Sequence, residues 1–173
     1  MNLEVYFVDS FTKKVFSGNA AGVVFHSGEL TATTMQNIAF ENNLSETAFI
    51  DTSKGNEIKF YSPEVEVDLC GHATLASAFV YFNFINKEAN EIIFNSNRGQ
   101  LVAKRKYDAI VMSLPKDQPE RELDLDMFID ALGCDVKEAY KGIDDYLAIV
   151  EDEEAIKNLI PDIDKIAKMP SRG

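Results

Sequence analysis

A stretch with apolar or small residues on every helical face runs from Ala73 to Phe84. A helix that is apolar all round has no side to turn toward solvent, so it belongs inside a domain. The pattern therefore predicts a buried central helix, with the core of the protein built around it.

The start of this helix is a predicted strand-to-helix turn. Residues 64–69 alternate charged and apolar side chains, and Cys70, Gly71 and His72 connect them to the helix. Such a turn presents unpaired backbone N–H groups and the positive end of the helix dipole, which favour a carboxylate ligand. Spacing alone also allows a purely structural interpretation, with Gly71 making the turn, Cys70 buried and His72 capping the helix.

The remaining hydrophobic periodicities upstream of Pro115 predict one further helix and several strands. Thr33 and Gln36 fit a capping box at the start of a helix over 33–42. Asp9-Ser10 and Gly18-Asn19 are predicted breaks, and residues 97–99 form a hairpin turn. The predicted strands cover residues 3–8, 23–25, 46–51, 91–95, 100–104 and 109–114.

Residues 115–120 contain two prolines and no apolar side chain, which predicts a linker between two domains, 1–115 and 116–173. In the second domain, Asp124 and Gly133 are expected to bound a helix. A strand over 146–150 and short helices over 152–159 and 161–169 complete it.

Composition narrows the possible partners. The chain has 17 Lys and Arg against 29 Asp and Glu, a net charge of −12, which argues against nucleic-acid and anionic-membrane surfaces. The apolar run at 73–84 is too short to span a bilayer, and the N-terminus lacks the pattern of a signal peptide. A cytoplasmic location is the expectation.

The cysteines and histidines give no metal or disulfide pattern in sequence. Cys70 and Cys134 are far apart and form no CxxC motif, and His26 and His72 lack ligand spacing. We therefore expect no metal and no disulfide framework, and Cys134, directly after Gly133, is interpreted as structural.

Three ordered motifs carry a family resemblance. They are Leu-Cys-Gly-His-Ala-Thr-Leu-Ala at 69–76, preceded by Phe-Tyr-Ser-Pro at 60–63, then Phe-Ser-Gly-Asn-Ala-Ala-Gly-Val at 16–23 and Asn-Leu-Ser-Glu-Thr-Ala-Phe at 43–49. The chain resembles the PhzF-like isomerases and epimerases, named for phenazine biosynthesis and similar in fold to diaminopimelate epimerase.

The resemblance implies an α+β fold in which mixed or antiparallel strands wrap around a central buried helix. Family members have two similar lobes with the active site between them. Residues 1–115 would form the first lobe and 116–173 the start of the second, so the chain is expected to end before the acidic, glycine-rich motif of a complete second lobe.

The resemblance also implies an activity and its residues. Glu46 matches the catalytic glutamate and would act as general acid and base in a proton transfer on a small carboxylate-bearing metabolite. Asn19, Gly71, His72 and Ala73 would bind this substrate. The scheme requires no cofactor and no metal.

Two alternatives remain open at this point. Cys70 occupies the place of a catalytic cysteine in diaminopimelate epimerase-like enzymes, and a thiolate at a helix N-terminus would have a lowered pKa suited to a racemase. The other alternative is a non-catalytic lobe that binds a small acid or associates into a homodimer through an uncovered apolar surface.

Overall fold

The computed structural model describes residues 2–122 and 124–171. Contacts within each part divide the chain into two compact units, Met1–Pro115 and Lys116–Gly173. Their assignment as a first lobe and the start of a second, similar lobe stays a prediction.

The first unit combines a set of strands with two longer helices. A single turn of 3₁₀-helix, Thr52–Lys54, follows the third strand, and a π-helical turn, Tyr81–Ile85, extends the second helix. The strands are β1 (Tyr6–Ser10), β2 (Asn19–His26), β3 (Glu46–Asp51), β4 (Glu57–Tyr61), β5 (Glu66–Val67), β6 (Glu91–Ser96), β7 (Gly99–Lys106) and β8 (Ala109–Ser113), and the helices are α1 (Ala32–Asn42) and α2 (Gly71–Val80).

These eight described strands form one mixed sheet. Its order is β1-β2-β3-β4-β6-β7-β8, with β5 paired to β4. The β2–β3 and β4–β6 pairs are parallel, and the other pairs are antiparallel. Strands from both ends of this order, β1 and β8, contact α2, so the sheet curls around the helix. The predicted α+β architecture, with strands wrapped on a central helix, is confirmed.

Alternating strand residues supply two hydrophobic clusters, one on each face of the sheet. In β3, Ala48 and Ile50 pack on the side of α2, whereas Phe49 packs with Met35 and Ala39 of α1 on the opposite side. Since a strand side chain points the same way two residues later, Glu46 shares the α2 side with Ala48 and Ile50, as its alternation predicts.

The central helix is buried along most of its length but not all round. Six of its residues are buried, whereas Phe79 is 42% exposed and Phe84, in the π-helical turn, is 56% exposed. The strand predicted before it is also shorter, since only Glu66–Val67 pair with β4. Among the described helices, none has both the length and the apolarity needed to cross a membrane.

The N-terminal elements differ from prediction in two places. The break expected at Asp9-Ser10 is wrong, because both residues pair with β2 and the Ser10 hydroxyl donates to the His72 carbonyl oxygen at 2.8 Å. The cap of α1 is Thr31, whose hydroxyl accepts from the Thr34 N–H at 3.1 Å. The predicted capping box at Thr33 is therefore wrong.

Gly18 sits where only glycine fits, directly before β2. Its φ is +79°, and a Cβ at this position would lie 2.1 Å from the Ser10 carbonyl oxygen. We expect Gly18→Ala to lower the free energy of unfolding by about 1–3 kcal/mol through this overlap. Urea denaturation measures it, with Gly28→Ala as control, because Gly28 has a φ of +107° but no heavy atom within 4 Å of its added Cβ. Equal losses in the two variants would contradict a steric cause.

The second unit is a small α+β assembly with its own hydrophobic cluster, centred on Phe128, Val136 and Ala139. Its described strands pair antiparallel in the order β11-β10-β9. The first helix begins at Asp126 rather than at an Asp124 cap, although the Asp124 carboxylate accepts from the Asp126 N–H at 3.2 Å. The elements are β9 (Glu120–Glu122), α3 (Asp126–Leu132), β10 (Glu138–Lys141), β11 (Tyr146–Ile149), α4 (Glu153–Lys157) and α5 (Ile163–Ile166).

Candidate active site

Three chain segments that are distant in sequence meet at one edge of the curled sheet. β2 and β3 are parallel, and Ala21 is paired with Glu46, so both strands begin at the same edge. The N-terminal turn of α2, which contains His72, contacts the start of both strands through the side chains described below. The first unit therefore brings together Asn19, Glu46 and His72, as the family motifs imply.

Glu46 is the acidic group of this site. It starts β3, its side chain is 20% exposed, and its Oε2 lies 3.3 Å from Nε2 of His72. Most of the side chain is thus shielded by protein, and about a fifth of it stays exposed to solvent. A carboxylate in this position can exchange a proton with a ligand and has a histidine beside it.

His72 is held from two sides. Its side chain is 10% exposed, Nδ1 lies 3.3 Å from Sγ of Cys70, and its carbonyl accepts from Ser10. Burial lowers the pKa of His72, more than the Glu46 carboxylate and the Ala20 backbone raise it. The imidazole is therefore neutral at neutral pH and can offer one N–H donor.

Ser45 is a site residue that the sequence prediction left without a role. Its hydroxyl donates to Oδ1 of Asn19 at 3.1 Å and lies 3.3 Å from Nε2 of His72. It thus connects the exposed start of β2 to the histidine. Its position in the sequence could have indicated a role, because it places a hydroxyl directly before Glu46 in the motif at 43–49.

The N–H groups at the start of α2 differ in how accessible they are to a ligand. Gly71 and His72 keep some exposed surface, whereas Ala73 has none. The Cys70 thiol is placed against the His72 and Ala73 N–H groups, which lower its pKa. Gly71, with His72 beside it, is therefore the more accessible part of the predicted carboxylate-binding turn.

The thiol of Cys70 behaves differently from the sequence prediction. Cys70 is 7% exposed, and burial raises the pKa of its thiol to about 12, against an ordinary value of 9.0. The nearby Glu46 carboxylate raises it further, and the helix N–H groups only partly offset these effects. The expected lowering of the Cys70 pKa by the helix N-terminus is wrong, because desolvation of a thiolate in this packed turn outweighs the dipole.

This pKa predicts a dependence of stability on alkaline pH. The unfolded thiol ionises near its ordinary pKa whereas the folded thiol stays protonated, so its contribution is complete below about pH 9 and is lost as the pH rises toward 12. The loss at about pH 10 should be about 1.4 kcal/mol. Urea denaturation between pH 8 and 10 measures it as a slope that Cys70→Ala reduces and Cys134→Ala keeps, above the smaller slope from Tyr61, whose pKa burial raises to about 12. The same slope in Cys70→Ala would contradict the assignment to this thiol.

Glu46, Cys70 and His72 also form a set of donor atoms that their sequence spacing does not reveal. One donor from each lies within 4.8 Å of the others, among the described residues. Thiolate, imidazole and carboxylate are the ligand types of zinc. However, Nδ1 of His72 faces the thiol and Nε2 faces the carboxylate, so one ion could bind all three only after the ring rearranged.

Comparison with known proteins gives one matching family and a set of similar sequences. Residues 8–173 match the family described as phenazine biosynthesis-like protein. An uncharacterised isomerase of Pseudomonas aeruginosa is 39% identical over 174 residues, covering all of this chain and 67% of the relative. An uncharacterised isomerase of Halalkalibacterium halodurans is 35% identical, covering all of this chain and 66% of the relative. The chain thus spans about two thirds of the length of these relatives.

Solved structures agree with the sequence relatives. The crystal structure of a PhzF-family phenazine biosynthesis protein from Enterococcus faecalis superimposes with a TM-score of 0.88 at 38% identity, covering 99% of this chain and 66% of the other. A structure described as a predicted epimerase from Pseudomonas aeruginosa has a TM-score of 0.74 at 16% identity, which shows shared fold alone. The diaminopimelate epimerase-like fold class is confirmed.

Proposed function

The chain belongs to the phenazine biosynthesis-like family, and from this membership we propose that it is an isomerase that moves a proton between positions of a small carboxylate-bearing metabolite. Glu46 takes the proton from carbon and returns it elsewhere on the substrate. Because the step only relocates a proton, no electrons are gained or lost and the proposed chemistry calls for no cofactor.

The observation that carries this proposal is the placement of Glu46. Its side chain is largely shielded but 20% exposed, and its carboxylate lies 3.3 Å from Nε2 of a histidine that is neutral at neutral pH. A neutral imidazole donates a single hydrogen bond to the Glu46 carboxylate, whereas an imidazolium would compete as a strong ion-pair partner.

Binding of the substrate carboxylate is assigned to the start of α2. The accessible N–H group of Gly71 and the positive end of the helix dipole beside His72 favour a negative charge there. Asn19 lies exposed beside Ser45 and can donate its amide N–H₂ to the same ligand, because its Oδ1 is taken up by the serine hydroxyl. The substrate would thus be anchored within reach of Glu46.

The alternative in which Cys70 is the proton-transferring base has less support. A thiolate base must form at working pH, and a thiol with a pKa of about 12 is almost entirely protonated there. Deuterium exchange that persists in Cys70→Ala would eliminate the cysteine mechanism.

Deuterium incorporation from solvent tests the proposal. The protein is incubated in D₂O with a panel of small carboxylic acids that carry a C–H bond next to a carbonyl or a double bond, and proton NMR follows loss of the C–H signal. We expect exchange in one or more acids, absent with heat-unfolded protein. An acid that perturbs the backbone amide signals of Gly71 and His72 but gains no deuterium would instead indicate a non-catalytic binding lobe.

A further inference from the structure

The hydrogen-bond partners of His72 determine which ring nitrogen carries the proton. Nε2 lies 3.3 Å from Oε2 of Glu46 and 3.3 Å from the hydroxyl of Ser45. A carboxylate only accepts, and the hydroxyl of Ser45 donates to Oδ1 of Asn19, which leaves its oxygen as the acceptor facing Nε2. Nε2 is therefore surrounded by acceptors and must be the protonated nitrogen.

The opposite nitrogen has a different neighbour. A neutral imidazole carries one proton, so Nδ1 of His72 is an acceptor, and it lies 3.3 Å from Sγ of Cys70. The thiol is also within reach of Glu46. The Glu46 carboxylate already accepts from Nε2–H of His72. At Nδ1, the side-chain donor in the described part of the chain is the Cys70 thiol, so we assign the thiol proton to this nitrogen.

We propose that Cys70 is a positioning residue, whose thiol donates a hydrogen bond to Nδ1 of His72 and thereby fixes the tautomer that presents Nε2–H to Glu46. This role rests on the proposed isomerase function and gives the cysteine a task other than proton transfer to substrate. The high pKa of the thiol agrees with it, because a protonated thiol remains a donor at working pH.

The consequence is a division of tasks within the site. With its lone pair directed at Cys70, His72 cannot act as a base toward the substrate and serves as an N–H donor beside Glu46. The bond from Ser10 to the His72 carbonyl and the bond from Cys70 to its ring hold both ends of the residue. The donor would then be in place before the substrate binds, which is the arrangement that favours catalysis.

Nitrogen NMR of the histidine rings tests the proposal without any substrate. Long-range ¹H–¹⁵N spectra at about pH 8, where imidazole is neutral, distinguish protonated from unprotonated ring nitrogens. We expect protonated Nε2 and unprotonated Nδ1 for His72. His26 is an internal reference, because its Nδ1 lies 3.0 Å from the Gly28 carbonyl and should carry the proton.

Variants at Cys70 provide the second arm. Cys70→Ala should shift the Nδ1 signal of His72 toward that of an unbonded nitrogen. It should also lower kcat by about 10-fold with KM little changed. Cys70→Ser, which keeps a donor at this position, should restore part of the Nδ1 signal and part of kcat. A protonated Nδ1 in the wild-type protein, or an Nδ1 signal unchanged in Cys70→Ala, would overturn the proposal. If the alanine variant fails to fold, the wild-type spectrum alone still tests which ring nitrogen carries the proton. Failure of the isomerase proposal would leave the NMR result intact, so the two outcomes are distinguishable.

Discussion

Replacing Glu46 with glutamine should lower the rate of deuterium incorporation by about 10²–10⁴-fold, the range lost when a general acid–base group is removed. Glutamine keeps the size of the side chain and an acceptor oxygen for Nε2 of His72, so the bond pattern of the site is largely preserved. What the amide cannot do is accept and return a proton at neutral pH. Proton NMR of the exchanging acid in D₂O measures the two rates side by side.

Glu41→Gln is the matched control for this variant. Glu41 is exposed on α1, and its substitution removes the same charge at a position away from the site. The rate of deuterium exchange should therefore stay within about twofold of wild type. Denaturation midpoints of both variants establish that each remains folded. Exchange by Glu46→Gln at the wild-type rate would assign proton transfer to another group and contradict the proposed mechanism.

Phe94→Ala should be the most destabilising of the substitutions considered, with a loss of about 3–5 kcal/mol in the free energy of unfolding. Phe94 has no exposed surface, lies on β6 and is paired with Leu101 of β7 in the cluster that packs on α2. Its removal leaves a cavity between sheet and helix that the curled sheet cannot close easily. Urea denaturation gives the loss from the midpoint, with an unchanged slope indicating that the unfolded state is the same.

Ile93→Ala, one residue earlier on β6, is the control for burial. Ile93 points to the other side of the strand and is 37% exposed, so its truncation should cost about 1 kcal/mol or less. Similar losses for the two variants would show that strand propensity, not packing against α2, decides stability at β6.

Several elements of this fold are fixed by local chemistry and were therefore predictable. β3 has the bounds expected from alternation, Glu46–Asp51, because the left-handed residue Asn43 ends the preceding helix and the alternation begins soon after. α3 ends at Gly133 with a φ of +70°, as its glycine implies. In contrast, three threonines compete to cap α1, and local sequence does not separate Thr31 from Thr33.

The chemistry of the site depended on contacts that no local pattern contains. The family motifs identified Glu46 and His72, but the raised pKa of Cys70 comes from burial by strands distant in sequence. The opposed directions of the two His72 ring nitrogens also come from tertiary packing. The strands β9 and β10 were missed because each is short, and Glu-Arg-Glu in β9 has no apolar alternation.

The contact of α2 with both β1 and β8 places a constraint on synthesis of the protein. When the ribosome has released α2, the first strands can already pack on it, but its surfaces for β7 and β8 have no partner until residue 113 has emerged. At about 5–20 residues per second, this interval lasts about 2–7 s, during which apolar helix surface is open to chaperones or to other nascent chains. When β8 completes the curled sheet, it covers the remaining apolar surface of α2. Translation pauses between α2 and β8 should therefore raise aggregation more than pauses after β8.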